Sequence, residues 1–415
     1  MNINAFFQYD FLAVGQGLFA SGRLLNHQQK RRFDWIHDCG TSGKQAHLDR
    51  EIEHYGQCNR GPVNLLCLSH FDEDHISGAR KLLTSRRIDI LVMPYYPLVD
   101  RMQIALDTKN ISPAYLQFLI DPAAFMIDAA GENLGEIILI AGGKNPPEEP
   151  MQDRPTEPRE PNDDKPWDWQ YPENSKIPNP DDELRGVTRD NYRRTVLVFT
   201  HQKPFTVGSI WEFMFYNKNN PRAENKGLRK EVIKILAHYR NPDGTPKTET
   251  GKRAKKKGLL DDLKKLYVKV FGKGGKPQNA ISLITYSGPM MDPSLHISGM
   301  WGSLVPATVF VDHLEMQPTW YVPCVASAAV SIGYFGDFPL DSLVELGWVR
   351  DHFKRVRWDR FQLIQIPHHG SSHSWYNGAS REFNHGTSVI SSARHSKHHP
   401  SQKCWTIWNS TAWFL

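Results

Sequence analysis

The sequence predicts an α/β fold, on three observations. Short apolar runs bounded by turn residues recur in its first part and again near its end, which is the habit of buried strands. Stretches of helix-like apolar spacing separate some of them, and strand–helix–strand order builds layered α/β architecture. Composition supplies the core: of 415 residues, 40% are hydrophobic and 23% charged, with 12 Trp and 20 Phe. That balance excludes a disordered, collagen-like or coiled-coil chain. A chain of this length has room for two or three domains, or for one large domain carrying insertions.

The elements follow in order. Residues 11–14 run into Gly15-Gln16-Gly17, and the runs 18–25 and 33–36 come next, the second closing at Asp38-Cys39-Gly40. Residues 63–68, apolar apart from Asn64, lie between Gly61-Pro62 and a polar cluster, and 88–93 closes at Pro94. A helix starts near Gly78 between these two strands. Composition then shifts twice. Residues 145–182 hold ten Pro and eleven Asp/Glu against four Lys/Arg, which predicts a disordered or surface-draped insertion. Residues 222–277 hold seventeen Lys/Arg against six Asp/Glu, with helical spacing at 228–239 and 259–270 broken by Asn241-Pro242-Asp243-Gly244. Strand signals return at 280–286, 326–334 and 361–366. The organisation expected is one core split by insertions: 1–144, an acidic insertion 145–182, core strands 183–221, a basic helical insertion 222–277, and 278–415.

Five Cys, none at CxxC spacing, support neither a disulfide framework nor a Cys-based zinc site. No apolar run approaches the ~20 residues of a membrane span. The opening MNINAFFQYD has no basic region followed by an apolar stretch, so no signal peptide is expected. These readings point to a cytoplasmic protein with no membrane partner. Walker A, GxGxxG and helix-turn-helix patterns are not evident.

The chemistry concentrates in Ser69-His70-Phe71-Asp72-Glu73-Asp74-His75-Ile76-Ser77-Gly78, just after a strand. On extended chain His70, Asp72 and Asp74 point the same way, with His75 following on the turn. Imidazole plus carboxylate suits zinc, manganese or iron(II), where an all-oxygen set would suit magnesium or calcium. A binuclear site needs more ligands, and two later strand ends offer them. Gly336-Asp337 carries a carboxylate able to bridge two cations, and Ile366-Pro367-His368-His369-Gly370-Ser371-Ser372 carries paired imidazoles.

The order HxDxDH, GD, HHG resembles the metallo-β-lactamase fold superfamily, and more closely the soluble hydrolase domain of ComEC-type DNA-uptake proteins. Val14-Gly15-Gln16-Gly17 is similar to that group's VGQG, Asp38-Cys39-Gly40 to its D-x-G, His70 to Gly78 to its HxDxDHxGG with Ser77 replacing the first Gly, Asn279 to Ser282 to its N-x-x-S, Gly336-Asp337 to its GD, His368 to Ser371 to its HHGS, and His399-Pro400 to a late H-P. The sequence departs from the group at Ala13 and Leu18, where acids are common, and it lacks the membrane channel. The resemblance implies an αββα sandwich with large insertions. It places His70 and Asp72 on one metal, Asp74 and His75 on the other, Asp337 between them, and His368 completing the second site with His369 as its substitute. It makes Asp38 an acceptor that orients a ligand histidine.

The cofactor expected is two divalent ions, Mn²⁺ or Zn²⁺, with the carboxylate Asp72 favouring Mn²⁺. The function expected is a phosphodiesterase, in the first instance a nuclease acting on DNA, with Asp74, His369 and His399 as the catalytic set and the last two able to protonate the leaving oxygen. His201, His296 and His313 are candidates for a third ligand to the first metal. Ser371, Ser372 and Ser374 admit a serine nucleophile only with an acid partner that the sequence does not place. Lys252, Arg253, Lys255, Lys256, Lys257 and Lys397 are candidate contacts to a phosphate backbone, and Trp405, Trp408 and Trp413 candidate stacking residues. A small phosphodiester such as a cyclic nucleotide is the alternative substrate. A nucleic-acid-binding assembly subunit with a vestigial site is the alternative of another class. A free-standing relative of a DNA-uptake domain also raises a partner protein in a multi-component bacterial system, such as antiviral defence.

Overall fold

The computed structural model describes residues 5–26, 31–142, 169–172, 175–181, 195–201, 203–208, 210–218, 226–239, 252–271, 282–290, 302–303, 321–322, 331–372, 374–376, 378–383, 387–392, 396, 399–401 and 412–414. The first part comprises β1 (Ala5–Phe11), β2 (Ala20–Asn26), β3 (Arg31–His37), α1 (Gln45–Cys58), β4 (Val63–Cys67), the short turn of helix α2 (Glu73–Ile76), α3 (Ala79–Ser85), β5 (Ile88–Pro94), α4 (Leu98–Asp107), α5 (Pro113–Ile120), α6 (Pro122–Ala130) and β6 (Leu134–Ala141). Then come β7 (Trp169–Gln170), β8 (Lys176–Ile177), β9 (Val196–Thr200), β10 (Phe205–Val207), β11 (Trp211–Tyr216), α7 (Lys226–Tyr239) and α8 (Lys252–Phe271). The last part holds β12 (Ile284–Pro289), β13 (Gly302–Ser303), β14 (Tyr321–Val322), β15 (Ser331–Tyr334), α9 (Leu343–Trp358), β16 (Phe361–Gln365), β17 (Thr387–Ile390) and β18 (Ala412–Phe414).

The fold is α/β, built on two mixed sheets. One runs β14-β13-β1-β2-β3-β4-β5-β6-β9-β8 and the other β18-β17-β16-β15-β12-β11-β10-β7. In the first sheet β3, β4, β5, β6 and β9 are parallel neighbours, with Trp35 opposite Leu65 and Leu65 opposite Ile90. In the second, β15 to β18 are parallel, with Tyr334 opposite Gln365. Parallel pairing brings the carboxyl ends of β3, β4 and β5 to one edge, and those of β15 and β16 likewise. The chemically loaded segments 38–40, 69–78, 336–337 and 367–370 all leave strands at such ends.

One apolar cluster is shared by the two sheets, with Phe7, Trp35, Leu65, Val92 and Ile138 from the first and Phe213, Tyr334 and Leu363 from the second. Trp35 meets Phe213 edge-on at 5.4 Å and donates from Nε1 to the Tyr334 hydroxyl at 3.3 Å. A second cluster covers the other face of the first sheet with α1 and α3 to α8, through Leu48, Leu82, Met102, Phe118, Met126, Val232 and Leu263. A third packs α9 on the second sheet through Leu346, Val349 and Phe353. Arg357 of α9 is buried and donates to the buried Glu212 of β11 at 2.7 and 2.9 Å.

Two sequence expectations change. The acidic, proline-rich stretch is not wholly peripheral: it supplies β7 to one sheet and β8 to the other. Trp169 stacks on Phe205 at 5.3 Å, and Asp181 is buried and paired with Arg101. Average composition hides such points because one aromatic ring outweighs several solvated acids. The segment with the candidate ligands is also not extended chain. The β4 strand ends at Cys67 and a helical turn begins at Glu73, so Asp74 and His75 leave a helix.

Candidate metal centre

Two loops clamp that helical turn from outside. Leu18 donates its N–H to the Asp74 carbonyl at 3.1 Å, and Cys39 donates to the His75 carbonyl at 2.9 Å. Gly40 backs onto the turn so closely that a Cβ there would lie 2.5 Å from the Asp74 and His75 backbone. This is the physical content of the D-x-G: the loop must press flat on the ligand segment.

Asp38, fully buried with φ of 56°, accepts the Ser69 N–H at 2.6 Å, the Ser69 hydroxyl at 2.6 Å and His75 Nδ1 at 2.7 Å. Burial would raise its pKa, but the His75 and His37 imidazoles outweigh that and hold it far below the usual carboxylate range. His70 Nδ1 lies 3.0 Å from Ser69 Oγ. Asp38 thus orients His75 directly and His70 through Ser69, so that Nδ1 of each ring faces this network and Nε2, the atom a metal ion would take, turns inward. His369 is fixed the same way, donating Nδ1–H to the Ser391 carbonyl at 2.6 Å. His368 Nδ1 lies 3.2 Å from Ser374 Oγ.

Those inward nitrogens meet carboxylates. His75 Nε2 stands 3.3 Å from Asp337 Oδ1 and 3.9 Å from Asp74 Oδ1; His369 Nε2 stands 3.2 Å from Asp74 Oδ2 and 4.0 Å from Asp337 Oδ1. These four residues offer atoms all within 4.8 Å of one another and could hold a metal ion. Four donors about 2.1 Å from a common cation in a tetrahedron would be ~3.4 Å apart, which these distances bracket. On the other side of Asp337, its Oδ2 lies 3.5 Å from His70 Nε2 and 3.8 Å from His368 Nε2, and Asp72 Oδ2 is 3.9 Å from His70 Nε2. His70 Nε2, His75 Nε2 and Asp337 Oδ1 are buried without a hydrogen-bond partner. Imidazole nitrogens facing carboxylate oxygens in a buried cleft call for positive charge between them, supplied by ring protons or by a bound cation.

Electrostatics agree. Burial would raise Asp74 and Asp337, yet the histidine contacts override it: Asp74 is held at about 2 by His369 and His75, and Asp337 well below the carboxylate range by His70 and His75. Burial lowers His70 and His75, but Asp337 at His70, and Asp38 followed by Asp337 at His75, raise both toward the protonated ring, so a metal ion binding there would displace those protons. The backbone is strained here as well, since His368 and His369 have φ of 50° and 51°. Two successive non-glycine residues in that region cost roughly 1–3 kcal/mol each. The Asp337 loop is held by Gln365, whose Oε1 accepts from the N–H groups of Phe335 and Gly336 at 2.8 Å.

The expected residues therefore divide as follows. His70, Asp72, Asp74, His75, Asp337, His368 and His369 converge, and Asp38 stands behind them. The pairing of the two late histidines is the correction: His369 completes the Asp74–His75 side, and His368 faces the His70–Asp72 side, because the left-handed turn projects the two rings apart, 6.4 Å between centroids. His399 lies beside them, its ring 5.7 Å from His368 and 6.2 Å from His369. His201 is elsewhere, accepting the Asn217 N–H at 2.9 Å and lying 4.6 Å from His352. His296, His313, Lys397, Trp405 and Trp408 fall outside the described residues, as do the side chains of Lys252, Arg253, Lys255, Lys256 and Trp413. Lys257 is exposed on α8. The supporting Ser69, Gln365 and Ser391 were missed. Ser69 and Gln365 leave a signal as polar residues closing apolar strand runs; Ser391 acts through its carbonyl and leaves none. Compared with known proteins, the chain matches no protein family and no curated sequence.

Proposed function

We propose that this chain is a metal-dependent phosphodiesterase of the metallo-β-lactamase αββα type, acting on DNA as a nuclease. The observation that carries the reading is the double donor set around Asp337: Asp74, His75 and His369 beside Oδ1, His70, Asp72 and His368 beside Oδ2. Each side offers two nitrogens and two oxygens, a mixed set that suits Mn²⁺ or Zn²⁺. Asp38, Asp72, Asp74 and Asp337 bring four negative charges, which two divalent ions neutralise. Ions held there would supply an activated water and neutralise charge on a phosphodiester.

The chain's own residues do the rest. Asp38 and Ser69 keep His75 and His70 in the ligating tautomer. The ionised Asp74 carboxylate would accept a hydrogen bond from the attacking water and orient it. His399, beside His368 and His369, would protonate the leaving oxygen. Asp72 and His368 have side-chain exposures of 40% and 45%, so that side of the centre opens to solvent. An open flank favours a polymer passing across over an enclosed cyclic nucleotide. The intact acidic positions argue against a vestigial site.

The test is incubation of the purified chain and Mn²⁺ with labelled single- and double-stranded DNA and with bis(p-nitrophenyl) phosphate. Cleavage abolished by EDTA and by Asp74→Ala/His75→Ala is expected. No cleavage of any of these, or equal cleavage by the variant, refutes the reading.

A further inference from the structure

We propose that the exposed face of α8 is a phosphate-backbone exosite that takes the nucleic-acid strand as it leaves the metal centre. This rests on the phosphodiesterase reading above. The helical pair docks where such a site is useful. Tyr267 of α8 donates its hydroxyl to the Val99 carbonyl in the first turn of α4. Arg229 of α7 reaches Asp181, which also pairs with Arg101 of α4 at 2.6 Å. Helix α4 begins just beyond the carboxyl end of β5, the same edge from which β4 delivers His70. The connecting loop closes the path, since Tyr96 stacks on Phe71, the neighbour of Asp72, at 4.6 Å.

The charge pattern of the pair is one-sided. Leu259, Leu263 and Tyr267 of α8 face inward and are buried. Lys257, Lys264, Lys265 and Lys269 are exposed, and so are Lys230 and Lys234 of α7, against the acids Glu231, Asp261 and Asp262. Two of these lysines are already committed, Lys234 to Glu231 and Lys265 to Asp262. Lys230, Lys257, Lys264 and Lys269 form no ion pair among the described residues. From Lys257 to Lys269 the helix rises ~18 Å, which matches about five phosphates of one strand of a duplex. Val268 and Val270 are exposed beside Lys269, at the end of α8 nearest the metal edge. Lys257 and Lys264, seven residues apart, share one face of α8 and Lys269 extends it round the helix; lysines without an ion pair among the described residues, on a helix docked beside a cleft for phosphodiesters, suit backbone binding and carry no base specificity.

The experiment compares three full-length proteins loaded with Mn²⁺: wild type, Lys264→Glu/Lys269→Glu, and the charge-matched control Arg60→Glu/Lys109→Glu. Arg60 and Lys109 are exposed, Arg60 just before the start of β4 and Lys109 beyond the far end of α4, away from the metal edge. Affinity for a fluorescent 20-nucleotide single strand is read by anisotropy across a salt series. Hydrolysis of bis(p-nitrophenyl) phosphate, too small to reach α8, reports the metal centre. The inference expects the α8 variant to lose at least about tenfold in oligonucleotide affinity, and its salt slope to fall by about 1.4. The control keeps both within about twofold, and small-diester turnover is the same in all three. Equal losses in the α8 variant and the control, or no loss in the α8 variant, overturn the inference while leaving the hydrolase reading standing. A wild type that hydrolyses neither substrate overturns that reading, and this one with it.

Discussion

Replacing Asp38 by Asn probes the support of the proposed metal centre without touching a proposed ligand. Asn has the same shape and tolerates the positive φ of 56° found there. It keeps one carbonyl acceptor for the Ser69 N–H. It loses the acceptor that receives both the Ser69 hydroxyl and His75 Nδ1, at 2.6 and 2.7 Å. Hydrogen bonds to a buried charge contribute ~1.5 kcal/mol or more each, so the metal-free protein should lose about 3 kcal/mol of stability. The amide's own N–H groups would face His75 Nδ1 and drive the ring proton to Nε2, the atom turned toward Asp74 and Asp337. Loss of such a supporting partner lowers metal affinity roughly 10–100-fold, or ~1.4–2.7 kcal/mol. Competition against a chromophoric chelator measures the affinity, and urea denaturation with excess metal checks that the variant folds. A folded Asp38→Asn protein that binds Mn²⁺ within about threefold of wild type would refute the orientation argument.

Three further outcomes follow from the packing. Gly336→Ala should weaken metal binding and cost about 1–3 kcal/mol, because at φ of 53° its Cβ would lie 2.5 Å from Ser282 Oγ and 2.7 Å from Ser69 Oγ; chelator competition together with thermal melting reads both. Glu212→Ala should cost ~3–5 kcal/mol in urea denaturation by stranding Arg357, whereas the double variant Glu212→Leu/Arg357→Met should recover most of it. Burial pushes His201 down to about 4 from an ordinary 6.5. The unfolded chain then binds the extra proton between those values, so stability is full above pH 6.5 and falls by about 3 kcal/mol on the way to pH 4. In His201→Gln that part of the pH dependence of urea denaturation should vanish; an unchanged slope would show that the ring titrates normally.

The sequence made the strands and the metal-type residues legible, and for one physical reason. Buried strands in parallel sheets write themselves as short apolar runs, and function sits at their carboxyl ends. The runs at 63–68, 88–93 and 361–366 correspond closely to β4, β5 and β16. The helices at 228–239 and 259–270 appear as α7 and the inner part of α8. The side chains of the centre were named from type and order alone, but their partition was not. Whether His368 or His369 turns toward Asp74 depends on two left-handed dihedrals, which spacing does not encode. The same holds for Asp74, read as strand alternation with His70 and Asp72 and found on a helical turn. Trp169 and Asp181 were hidden inside an averaged composition, and Ser391 meets His369 through its backbone carbonyl. Local pattern finds elements and chemistry; tertiary contact decides which lone pair faces which.

The most direct measurement is anomalous diffraction from crystals of the full chain grown with Mn²⁺. The account predicts two peaks flanking the Asp337 carboxylate, one contacted by Asp74, His75 and His369, the other by His70, Asp72 and His368. A map with no peak at Asp337, or with manganese bound only elsewhere, would contradict it.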